Sequence, residues 1–64
     1  MSFNNIGFYR KKKGLTLAQL SKKSNISPGY LCHLENGSRK NPSYKVMRDI
    51  SNVLEKSITD VFNT

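Results

Sequence analysis

Ser27-Pro28 and Gly37 fence off a helix in the middle of the chain. Proline at a first helical position loses no hydrogen bond, because that amide would be free anyway, and its fixed φ suits helix entry. A preceding serine can cap the free amides, and a glycine beyond the last turn accepts the left-handed conformation that closes a helix. Between these marks Leu31 and Leu34 define a buried stripe three residues apart. At roughly 100° per residue, Gly29, Cys32, His33 and Asn36 fall on the opposite side. Tyr30 and Glu35 flank the stripe.

The same punctuation predicts four more helices. Thr16 is an N-cap with Gln19 as its capping-box partner, opening a helix over Leu17–Lys23 that has Leu20 as its main anchor. It ends at Ser24-Asn25, where asparagine suits a sharp left-handed turn. Before it, Ile6 and Tyr9, with Phe3, recur at helical spacing from about Asn4 or Asn5 to Lys13. The cluster Arg10 to Lys13 then lies in the last turn, where cations complement the helix dipole, and Gly14 follows the end. After a loop, Ser43 caps a longer helix reaching about Glu55, with Tyr44, Met47, Ile50 and Leu54 inward. Ser57 or Thr59 starts a final short helix carrying Val61 and Phe62. No stretch alternates like a strand. The expected fold is all-α: one compact five-helix domain over 1–64, with two helices joined by a tight turn over 17–36. Small Ser21 sits where those two helices cross, Asn25 makes the turn, and Ile26 locks the second helix onto the first.

Charge narrows the partners. Eleven Lys and Arg face four Asp and Glu, giving a net charge of +7. Arg10, Lys11, Lys12, Lys13, Lys22, Lys23, Arg39 and Lys40 stand against Glu35 alone in residues 1–40, whereas Lys45, Arg48 and Lys56 balance Asp49, Glu55 and Asp60 beyond. That asymmetry suggests a polyanion-binding part and a neutral supporting part. Cys32 is the only cysteine, so no internal disulfide forms, which fits a reducing compartment. One His, one Cys and four dispersed acids offer neither metal-ligand nor catalytic spacing. The chain is therefore expected to be no enzyme and to need no metal, cofactor or small-molecule ligand. No apolar run approaches the roughly 18 residues that span a membrane. The N-terminus lacks an apolar core after a basic start, so it is not read as a secretory signal. With the chain ending at Thr64, no separate sensor or dimerisation domain is expected.

The stretch GLTLAQLSKKSNISPGYLCHLENGSRKNPSYKVMRDISNVLEKSITDVF resembles the Xre, lambda-repressor-like helix-turn-helix family over about Ile6 to Phe62. Arg10, Leu20, Leu34-Glu35-x-Gly37, Asn41-Pro42-Ser43 and Leu54 carry the likeness. YLCHLENGSRKNPS is similar to a sub-group that includes sporulation and biofilm regulators of Gram-positive bacteria. The resemblance implies a five-helix fold that binds double-stranded operator DNA, commonly as a symmetric homodimer, in a cytoplasm of bacterial or phage origin. It also implies an ion pair between Arg10 and Glu35. The lone acid of the basic region fits that role, since arginine offers carboxylates a bidentate fork.

On this reading affinity comes from phosphates and specificity from bases. Free amides near Thr16 and Leu17 can cradle one phosphate. Lys12, Lys13, Arg39 and Lys40 flank the reading helix, and Asn36 and Asn41 add neutral hydrogen bonds. Lys22 and Lys23 are read as solvated, and Phe8 as ordinary surface. Base contacts are expected from Ser27, Pro28, Gly29, Tyr30 and His33, with His33 the central donor. Pro28 and Gly29 replace polar reading side chains frequent in the family, which shifts weight from base hydrogen bonds to close backbone approach and DNA shape. Leu17 stands where glutamine is frequent in the family. The competing reading is an antitoxin or other protein-interaction module on the same fold.

Overall fold

A computed structural model describes residues 4–39 and 41–63, and every regular element among them is helical. The helices are α1 (Ile6–Lys12), α2 (Leu17–Ser24), α3 (Pro28–Asn36), α4 (Tyr44–Leu54) and α5 (Ile58–Phe62). The anchor expected of Phe3 and the cation expected of Lys40 lie outside the described residues.

Each helix starts where a side chain satisfies a free amide. Thr16 Oγ1 accepts from the Gln19 amide at 3.1 Å while Gln19 Oε1 accepts from the Thr16 amide at 2.8 Å, a complete capping box. Ser27, Ser43 and Ser57 each accept from the amide three residues on, those of Tyr30, Val46 and Asp60. For α1 the capping oxygen is that of Asn4, which accepts from the Ile6 amide at 3.0 Å. Asn25, Gly37, Glu55 and Asn63 close α2, α3, α4 and α5 in the left-handed conformation.

The core takes anchors from every helix: Ile6, Leu20, Leu31, Leu34, Ile50, Leu54 and Val61 are buried. Burying side chains of this kind contributes about 1.5–3 kcal/mol each. Tyr44, expected inward, is 66% exposed. It precedes Ile50 by six residues, which at 100° per residue turns it about 120° away from the buried stripe. Val46 packs on the core instead, in an i, i+4, i+8 series with Ile50 and Leu54 that the larger tyrosine obscures in the sequence.

Side-chain hydrogen bonds set the helix-turn-helix angle. The Ser21 hydroxyl donates to the Ile26 carbonyl, and the Ile26 amide returns to the Ser21 carbonyl at 3.3 Å. Ser24 is buried and donates to the Leu20 carbonyl at 2.7 Å, so a polar side chain serves as a small spacer without an unpaired donor. At the far end Asn5 ties α1 to α5: its backbone amide donates to the Val61 carbonyl and its side-chain amide to the Asp60 carbonyl, both at 2.7 Å. Among the described residues no helix is long and apolar enough to cross a membrane.

Two surface carboxylates link the fold to pH. Hydrogen bonding from Lys45 holds the Asp49 carboxyl below its ordinary range, and hydrogen bonding from Lys13 does the same for Glu55. A carboxyl depressed by folding stabilises the fold above its unfolded pKa, and that contribution is lost as pH falls through the folded value. The thermal midpoint is therefore expected to hold between neutrality and about pH 5 and to fall below the usual carboxylate range near pH 4. A Lys13→Met, Lys45→Met variant should show a shallower acid limb. A midpoint that rises on acidification would contradict the assignment.

Candidate nucleic-acid interface

Leu31 and Leu34 turn one side of α3 into the core, at 0% and 1% exposure. The other side is left open, and Pro28, Gly29, Cys32, His33 and Asn36 are all exposed, with Ser27 at its N-terminal edge. The five expected base-reading residues thus fall on α3 and its cap, four of them exposed and Tyr30 half-buried against the core. Ser27 Oγ already accepts from the Tyr30 amide, which leaves its hydroxyl proton free to donate outward. Nothing lies within 4 Å of a Cβ built on Gly29, so the helix surface there is flat and open to close backbone approach.

The chain beyond α3 folds back along it. Gly37 takes φ 83°, where a side chain would be strained, and the Arg39 amide then donates to the His33 carbonyl at 3.1 Å. This brings the Arg39 guanidinium to 5.9 Å from the centre of the Tyr30 ring. A long, mobile cation is thereby given a resting place beside the open face of α3. Asn36 Oδ1 accepts from the Ser38 amide at 2.8 Å, so its amide NH2 is the group left to meet an outside acceptor. Asn41 is exposed and left-handed, with φ 50°.

Behind this face Arg10 and Glu35 join α1 to α3. Arg10 Nε lies 2.8 Å from Glu35 Oε2 and a terminal nitrogen 3.2 Å from Oε1, while the other terminal nitrogen donates to the Leu15 carbonyl at 2.9 Å. Both side chains are largely covered, at 14% and 19% exposure. Hydrogen bonding to Glu35 raises the Arg10 pKa above its ordinary value, so the guanidinium stays charged at any pH at which the chain folds. Gly7 faces this pair closely: a Cβ there would stand 3.1 Å from Glu35 Oε1, and the carboxylate would have to give by a few tenths of an ångström.

Other expected phosphate residues have different surroundings. Thr16 spends its backbone amide on the capping box, while its Oγ1 only accepts there, which leaves its hydroxyl proton and the first amides of α2, beginning at Leu17, as the available donors. Lys13 Nζ is 2.8 Å from Glu55 Oε1, and Lys12 Nζ sits 5.5 Å from the Phe8 ring centre. Both line a cleft with Leu54 and Lys56, on the α4–α5 side of the molecule. Phe8 and Lys12 stand at helical i, i+4 spacing, whereas no sequence spacing marks the Lys13–Glu55 pair, whose partners are 42 residues apart. Lys22 and Lys23 are exposed.

Known proteins share this architecture. A family model described as helix-turn-helix matches residues 6–61. The transcriptional regulator SlrR of Bacillus subtilis is 38% identical over 58 residues, covering 91% of this chain and 38% of SlrR. SinR of Bacillus licheniformis, also a transcriptional regulator, is 34% identical over 55 residues, covering 86% of this chain and 50% of SinR. The chain thus spans half or less of the length of these two relatives. Among solved structures, SinR, the master regulator for biofilm formation, in complex with DNA superposes with a TM-score of 0.82 at 35% identity, over 84% of this chain and 86% of that one. The SinR–SinI complex gives 0.83 at 34% identity, over 86% and 53%. With Arg10 and Glu35 joined and α2–Asn25–α3 folded as described, the chain belongs to the Xre, lambda-repressor-like helix-turn-helix family.

Proposed function

We propose that the chain is a sequence-specific, double-stranded-DNA-binding module of a transcriptional regulator, acting as a repressor, which lays α3 in the major groove. The observation that carries this is the two-sided nature of α3: one side clamped into the core, the other open, free of acidic side chains and flanked by Arg39. A major groove admits one helix, and base edges there carry a distinct donor and acceptor pattern.

In this reading His33 donates to a purine edge, Ser27 donates its free hydroxyl proton, and Tyr30, Pro28 and Gly29 meet methyl groups or backbone at close range. Arg39, Asn36, Asn41 and the first amides of α2 hold phosphates. Lys12 and Lys13 stand apart from that set, engaged by Phe8 and Glu55. Two copies bind together, since one small module buries little DNA surface, and half-sites then lie about one helical turn apart. The setting is a bacterial or phage-infected cytoplasm.

Selection from a random duplex pool tests the reading, with an enriched inverted repeat as its expected product. Pool survivors without a shared motif would sink it. Against the enriched site, His33→Ala is expected to relax preference at one base pair by about 1–3 kcal/mol. Arg39→Ala is expected to weaken all duplexes alike and to lower the salt slope by about one. Equal losses on every sequence for His33→Ala would remove its reading role. A second reading, a module that binds another protein, draws on the solved pairing of SinR with SinI. A co-purifying protein seated on α3, with no duplex bound at low salt, would select it.

A further inference from the structure

Phe8 is the one strongly exposed phenylalanine among the described residues, at 61%. Its ring meets the Tyr9 ring edge-on, 5.1 Å between centres. Lys12 Nζ lies over Phe8, and Lys56 Nζ lies 5.2 Å from the centre of Tyr9. Tyr9, Lys12 and Lys56 then continue into a cleft of about 220 Å³ with Leu54 and the Lys13–Glu55 pair. Two touching rings are thus flanked by ammonium groups along one strip, in the order Lys12, Phe8, Tyr9, Lys56, with a part-polar cleft beside them. The strip is built from α1, the end of α4 and the turn into α5, whereas α3 packs on α1 and α2. Apart from Lys12 and Lys13, which are engaged by Phe8 and Glu55, it uses none of the residues assigned to DNA.

We propose that this strip docks an acidic protein segment carrying one large apolar side chain, which packs on the Phe8 and Tyr9 rings at the edge of the cleft while its carboxylates meet Lys12 and Lys56. The cleft is smaller than the roughly 300–1,000 Å³ of small-molecule sites, which favours a surface contact over an enclosed ligand. Glu55 is neutralised by Lys13, so Lys12 and Lys56 leave the strip positive. An acidic partner complements that charge. A nucleic-acid strand fits less well, because the ammonium groups are folded onto rings instead of spaced along a track, and Glu55 is exposed on the rim.

Fluorescence anisotropy tests the proposal on the 64-residue chain, using short labelled peptides rich in Asp and Glu with a central Phe, Leu or Trp. The expected result is salt-sensitive binding that weakens about five-fold or more, roughly 1 kcal/mol, in Phe8→Ala and in Lys56→Glu. Binding should vanish for a peptide without the apolar residue and persist in Arg39→Ala. Phe8→Ala should keep its helical circular dichroism and its duplex affinity, since the ring is exposed. Failure of every peptide to bind at millimolar concentration would overturn the proposal. So would displacement of the peptide by duplex, tighter Phe8-dependent binding of an oligo-dT strand, or Phe8-dependent self-association in sedimentation equilibrium. The peptide titrations, the oligo-dT comparison and the sedimentation readout are independent of whether α3 reads DNA.

Discussion

Leu31→Ala is expected to lower the urea midpoint of unfolding by about 2 M or more. Leu31 is fully buried at the contact of α3 with α2 and α1, and truncating such a leucine costs about 2–5 kcal/mol through lost transfer energy and the cavity left behind. A small domain loses about 1 kcal/mol of stability per molar urea. Marginal stability of about 0.05–0.15 kcal/mol per residue gives a chain of this length roughly 3–10 kcal/mol in all. One methyl-bearing side chain thus decides whether α3 is held at all. Leu31→Met keeps most of the volume and should cost less than about 1.5 kcal/mol. Urea melts followed by far-ultraviolet circular dichroism check both. An alanine variant whose midpoint matches that of the parent chain would mean that α3 is not anchored through Leu31.

Gly29→Glu is expected to separate folding from DNA binding, with opposite signs. Gly29 is the second residue of α3, and nothing lies within 4 Å of the added Cβ. Replacing glycine within a helix gains about 0.5–1 kcal/mol. An acid in the first turn complements the helix dipole, and α3 has none there. The thermal midpoint should therefore rise by about 4–8 °C per kcal/mol gained. On the duplex the same carboxylate meets base acceptors and phosphates, and like-charge juxtaposition costs several kcal/mol, so affinity should fall about 100-fold or more. Gel shift and thermal melts on one preparation check the pair of effects. Undiminished binding by a well-folded Gly29→Glu would remove α3 from the interface.

Local chemistry made much of the architecture legible. Thr16 with Gln19, Ser27 with Pro28, and Asn25 and Gly37 are marks whose physical roles depend on neighbours a few residues away, so helix ends follow from them directly. Tyr44 misleads because aromatic bulk outweighs angular position in a hydropathy reading of α4, where smaller Val46 holds the inward place. Buried Ser24 and Ser51 escape hydropathy reasoning. Ser24 returns its hydroxyl to its own helix, while the Ser51 hydroxyl is buried without a partner among the described residues. The Arg10–Glu35 pair is visible as a lone acid in a basic region and in the family likeness, yet the close approach of Gly7 to Glu35 depends on how α1 meets α3. The Lys13–Glu55 pair is likewise a product of packing, because only the folded chain brings Glu55 to Lys13.

The most direct measurement is an amide chemical-shift map of the labelled chain as duplex carrying the selected site is added. Ser27 to His33 should move most, Leu17, Asn36, Arg39 and Asn41 should follow, and Tyr9, Leu54 and Lys56 should stay nearly still. Large changes along α5 or the Tyr9–Lys56 cleft, with α3 unmoved, would contradict groove insertion by α3.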